Sequence, residues 1–200
     1  MTKSVSASRR PPARSKERDE TALLDPVFAA IRKRAGKARE TDANAFASAF
    51  YRRMTEDELP MHGADGWAAL ANDFLDFARN RKPGMPSVRL FNPTLAKQGW
   101  ESPHTVLQIV NDDMPFLVDS ATMEINRQGL TLHLIVHPVF AVERDEDGNL
   151  KKAQSRADAP DAPRESWMHI EGDRMVDAEQ RAALVAGIEK ALADVRAAVE

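Results

Sequence analysis

The 200 residues include no cysteine, one tyrosine and three tryptophans. Without cysteine there is no disulfide, no thiolate metal site and no cysteine nucleophile, and a reducing compartment fits, so a cytoplasmic location is expected. No apolar run approaches the roughly 20 residues of a membrane span, and the N-terminus has no apolar signal core. The nine glycines never fall as G-x-G-x-x-G or as a phosphate-binding loop, and no G-x-S-x-G elbow occurs. Neither charge sign dominates. The net charge of -3 gives no reason to expect nucleic acid or an acidic membrane as partner. No catalytic, cofactor-binding or metal-ligating set is expected within the chain.

What is present is organised around His104 to Val142. His104–Asn111 is rich in β-branched and apolar residues and reads as a strand. Asn111, Asp112 and Asp113 then break it and offer helix-capping oxygens. Pro115 suits a first helical turn. Met114, Leu117, Val118, Ala121 and Ile125 form one apolar helical stripe that Gly129 stops. Leu130 to Val136 reads as a second strand, which belongs at an edge, or is bulged, where it passes Pro138 toward Arg144. Strands joined by a crossover helix lie parallel in one sheet.

Around this centre, residues 1–20 read as a disordered basic tail. Asp25-Pro26 reads as a helix start, and helices follow over about Asp42 to Met54 and Asp65 to Arg81, with a turn-rich joint at Glu56 to Gly63. Residues 21–84 are thus a helical cap, and 85–200 a sheet domain. Ser87 to Phe91 and Glu165 to Glu171 alternate as further strands. Asp145 to Asn149 is a hairpin turn, with a loop over Gln154 to Arg164. Asp177 caps a last helix that reaches residue 200 without a stop signal, so more chain is expected beyond it.

His133 and His137 have a metal-like spacing, but on a strand they stand about 13 Å apart. Alternation suggests another grouping. Leu107, Ile109, Leu132, Leu134, Val136, Met168 and Ile170 are assigned to the helix-covered face. His104, Val106, Val110, His133, Ile135, His137, Trp167 and His169 are left on the other. That face reads as a contact surface for another domain or subunit. A plain solvated face, or a pH-sensing or metal site across the strands, is the alternative. The loop Asp112, Asp113, Met114, Pro115, Phe116 reads as capping, or as a small-ligand notch. In the notch the helix N-terminus takes an α-carboxylate and Asp112 or Asp113 an ammonium.

The run NDDMPFLVDSATMEINRQGLTLHLIVHPV, with VRLFNP and GWESPHTVLQIV before it and ESWMHIE after it, resembles the N-terminal region of the large bacterial NAD-specific glutamate dehydrogenases. That resemblance implies an α+β, ACT-like fold: a βαββαβ sheet, order 4-1-3-2, with helices on one face, preceded by the helical cap. It implies a regulatory or assembly segment of an enzyme that deaminates L-glutamate to 2-oxoglutarate and ammonia. NAD is bound elsewhere in that enzyme. Partners would be later domains, other subunits and, as a candidate, a small amino-acid effector. A stand-alone amino-acid-sensing module is the alternative. ACT loops usually carry a glycine where Phe116 stands, so Phe116 is expected to fill the notch. The fourth ACT strand is either Ser87 to Phe91 or lies beyond residue 200.

Overall fold

The computed structural model describes residues 13–36, 40–51 and 62–200, with side chains from residue 24 onward. Three helices come first: α1 (Ala13–Ala35), α2 (Glu40–Tyr51) and α3 (Gly63–Phe77). Helix α1 corrects the expected start at Asp25. It runs through Pro26, and residues 13–20, read as tail, are helical. The proline forfeits one backbone hydrogen bond at a cost of about 3 kcal/mol. Burial of Leu24, Val27 and Ile31 on either side of it opposes that cost. Residues 1–12 of the expected tail, and most of the joint at Glu56, lie outside the described residues.

The sheet follows: β1 (Ser87–Phe91), a short α4 (Leu95–Gln98), β2 (Thr105–Asp112), α5 (Leu117–Arg127), β3 (Leu132–Val136), β4 (Val139–Arg144), β5 (Leu150–Ser155), β6 (Arg164–Gly172) and α6 (Ala178–Val199). The order is β1-β2-β6-β4-β5, with β3 also paired to β6. Strands β3 and β4 are one passage along β6, broken at His137-Pro138, where the Pro138 carbonyl accepts the Trp167 N–H at 3.0 Å. The proline ring lacks a ladder donor, so the break falls where its sequence position predicts. Strands β2 and β3 both run antiparallel to β6 and are therefore parallel to each other. Strand β1 pairs with β2 and takes the place of a fourth ACT strand.

Helices α5 and α6 cover one face. Leu107, Ile109, Met168 and Ile170 meet Leu117, Ala121, Ile125, Leu184, Ile188 and Leu192 there. Gly187 lets the two helices close, because a Cβ at that position would stand 2.0 Å from the Glu124 carboxylate. The opposite face, read from sequence as a contact surface for another domain or subunit, lies under α1–α3 of the same chain. Val106, Val110, Leu134, Val136, Phe140, Val142 and Trp167 join Phe46, Phe50, Trp67 and Phe74 in a second core. Strands β2 and β6 are consequently buried along nearly their whole length. In β3, Leu132 packs on the α5–α6 side as expected, but the facing of the residues after it is the reverse of that expected. Leu134 and Val136 point to the cap, because a bulge between Leu132 and Leu134 shifts the register by one residue.

The cap is fastened at the β4–β5 turn. Gly148 accepts the Arg81 N–H at 3.0 Å, and the Arg79 carbonyl accepts the Leu150 N–H at 2.8 Å. Gly148 has φ +82, and a Cβ there would lie 2.1 Å from the Arg81 carbonyl oxygen. Further along the same edge, Asp42 of α2 accepts the Ala153 N–H of β5 at 2.9 Å.

Candidate functional site

Two buried polar chains cross the sheet. The first lies under the cap. Asp73 on α3 holds the Arg89 guanidinium at 2.7 Å. Arg89 Nε donates to Gln108 Oε1 at 2.7 Å, which turns the Gln108 amide nitrogen toward His169 Nδ1, 3.0 Å away. His169 Nδ1 is therefore the acceptor, and Nε2 carries the proton toward Glu171 Oε1 at 3.0 Å. Glu171 also receives the Ser102 hydroxyl at 2.5 Å and faces His62 Nε2 at 3.4 Å. Burial pushes the Glu171 carboxyl up, but the bonds from His169, His62 and Ser102 outweigh it and hold it well below the carboxylate range.

The second chain sits at the strand–helix loop. Asp112, the last residue of β2, takes Arg81 on one oxygen and Arg196 on the other, each at 2.5 Å. Arg81 Nε reaches Glu165 Oε1 at 2.9 Å. Arg144 clamps Glu165 with Nε and Nη2 at 2.7 and 2.8 Å. The Trp167 indole donates to Glu165 Oε2 at 2.9 Å. Burial raises the pKa of Glu165, and the Arg144 bonds together with the Arg144 and Arg81 charges bring it below the ordinary value. Asp112 is lowered against its own partial burial in the same way, by Arg81 and Arg196.

The proposed notch residues are thus placed as follows. Asp112 is an ion-pair residue, which corrects its reading as a cap. It belongs to the β2 ladder opposite Glu165, so its side chain turns to the arginines and not to a helix end. Asp113 and Pro115 are exposed and Met114 half-buried. Helix α5 begins at Leu117, later than read, with no side-chain cap. Phe116 does not fill the notch. Its φ of +67 swings the ring outward, where it is 67% exposed. Before the loop, in β2, Asn111 is buried and its Nδ2 has no hydrogen-bond partner, while its Oδ1 accepts from Arg196 at 3.4 Å.

The histidine face divides. Val106, Val110, Trp167 and His169 are fully buried under the cap, and Ile135 lies on the α5 side, 40% exposed. His104 and His133 stack at 4.1 Å at the end of the sheet, where His133 meets Asp173 at 2.8 Å. His137 bonds the Ser166 hydroxyl. Among the described residues no group of three metal-ligating side chains comes together. Sequence reading missed Arg81, Arg144, Glu165 and Arg196. The available signal was ESWMHIE, where Glu165, Trp167, His169 and Glu171 recur on one strand face. A charged residue at either end of an apolar strand face calls for a buried partner.

Residues 46–188 match the family model described as glutamate dehydrogenase, ACT1 domain. The chain belongs to this family. It is 34% identical over 179 residues to the NAD-specific glutamate dehydrogenase of Halomonas elongata, covering 88% of this chain and 11% of that protein. It is 33% identical over 155 residues to the enzyme of the same name from Pseudomonas aeruginosa, 77% of this chain and 10% of that one. The Mycobacterium tuberculosis enzyme of that name matches over 92 residues at 34%, 45% of this chain and 6% of its own length. The chain spans about a tenth of the length of the first two relatives. The ACT1 match begins at residue 46, inside α2, so the matched stretch includes cap helix α3 along with the sheet. Among the described residues no helix is long and apolar enough to cross a membrane.

Proposed function

We propose that this ACT1 domain is a non-catalytic regulatory and assembly module of an NAD-dependent glutamate dehydrogenase. The parent reaction is oxidation of L-glutamate to 2-oxoglutarate and ammonia. NAD binding and hydride transfer belong to other domains of the longer polypeptide, which with other subunits are this domain's partners, in the cytoplasm. One observation carries the reading. Asp112, Glu165 and Glu171 are each engaged by donors from at least two other segments. That is the geometry of a scaffold, since a reaction centre keeps its acids and bases open to substrate. Deleting residues 1–200 from the full-length enzyme tests it. The remainder should still bind NAD stoichiometrically, while its assembly, measured by light scattering, or its rate response to free amino acids changes. Lost NAD binding with both of those unchanged would contradict it.

The buried, unpartnered Asn111 amide at the end of β2, where the chain turns into the loop before the uncapped α5, favours a second reading, a free amino acid held at that loop by its carboxylate. Glutamate or another amino acid should then raise the melting temperature of the chain, and Asn111→Ala should remove the shift. No shift with any amino acid would leave the loop as structure alone.

A further inference from the structure

The second polar chain joins two places that are otherwise separate. One end is the last turn of α6, where Arg196 is 23% exposed. The other end is Trp167, fully buried against Phe46 of α2 at 6.1 Å and Phe74 of α3 at 5.9 Å. Between them the route is Arg196, Asp112, Arg81, Glu165 and the Trp167 indole N–H, four consecutive contacts of 2.5 to 2.9 Å. Arg81 is 5% and Glu165 1% exposed, so water screens the middle of the route little. The two helical layers lie on opposite faces of the sheet, and this chain of charges passes between them at the end where β2 stops.

We propose that the route is a relay, in which making or loosening the Arg196–Asp112 bond at the end of α6 is felt at Trp167 and the cap. Asp112 is its branch point. Its two oxygens are divided between two arginines, so loss of one arginine leaves the whole carboxylate to the other. Arg81 in turn divides its guanidinium between Asp112 and Glu165. A stronger Asp112 hold draws Arg81 from Glu165, and Glu165 Oε2 is the acceptor of the Trp167 indole. Side-chain networks of shared donors and acceptors respond as a unit in this way. The inference rests on bonds within this chain and not on its regulatory role.

The indole N–H resonances of Trp67, Trp100 and Trp167 in the 200-residue chain test it. Arg196→Met should displace the Trp167 resonance and leave those of Trp67 and Trp100 in place. Arg196→Lys keeps the charge, loses the fork, and should displace Trp167 less, in the same direction; it also serves if the methionine variant does not fold. In an Asp112→Asn background, Arg196→Met should add no displacement. Glu200→Gln, which removes the other carboxylate bound to Arg196, leaves the guanidinium to Asp112 and should displace Trp167 in the opposite direction to Arg196→Met. An unmoved Trp167 in both Arg196 variants would overturn the relay, and so would equal movement of all three tryptophans. Neither result would touch the family assignment or the deletion experiment on the full-length enzyme.

Discussion

Two glycines with the same sign of φ should differ in how much a side chain costs. Gly148 sits at φ +82 with the Arg81 backbone in the space of its missing Cβ, whereas Gly84, at φ +71, faces open space. Gly84→Ala should cost only the left-handed penalty, roughly 1–2 kcal/mol. Gly148→Ala must also push the β4–β5 turn off Arg81 and Lys82, and should cost clearly more in urea unfolding. Phe116 shares the left-handed backbone without being glycine. Because its ring is out in solvent, Phe116→Gly should leave stability unchanged or raise it by about 1 kcal/mol. A loss of about 3 kcal/mol would restore the notch-filling role that DMPFLV suggested. That role was not visible as wrong in the sequence. The residue types place an aromatic at the loop, and only the backbone decides whether it turns in or out.

At the scale of elements, the junction between cap and β6 rests on Glu171. Its pKa lies below the ordinary 4.5, so the ionised form favours the folded state. That stability is complete above about pH 4.5 and is lost as pH falls through the lower folded value. The urea midpoint should therefore drop as pH is taken from 6 toward 3. The drop should be smaller in Glu171→Gln, with the remainder due to Asp112 and Glu165, which are lowered likewise. An identical slope in the variant would assign the acid sensitivity elsewhere. Strand β2, helix α5, strand β6 and the Asp177 cap of α6 were all legible, because each carries its period and its stop signal locally. Asp177 does accept the N–H groups of Glu179 and Gln180. The facing of β3 after Leu132 was not legible, since one bulged residue reverses an alternation and nothing in LTLHLIV marks it. The start of α1 was misread for the opposite reason: Pro26 is a strong local signal, overridden by the burial of its neighbours.

The whole molecule is a sheet between two helical layers, and this changes what its inner face can do. Val106, Val110 and Trp167 were apolar enough to suggest an assembly surface. Their partner turns out to be the N-terminal helices of the same chain. Trp167→Glu, which the outer-surface reading expected to leave the fold intact, should instead place a charge among Phe46, Phe74 and Phe140. The expected loss is about 4 kcal/mol or more, visible as a collapsed thermal transition. That the helical cap packs on the sheet domain was legible, but which face of the sheet it takes was not. Each shows an apolar face, and only their shared core shows that the two faces are for each other.

In the function proposed above, the chain is a scaffold of a glutamate dehydrogenase and not its reaction centre. Calorimetric titration of the 200-residue chain with NAD, with and without glutamate, tests it most directly. The account predicts no saturable heat and no NADH. Stoichiometric NAD binding to this chain would contradict it.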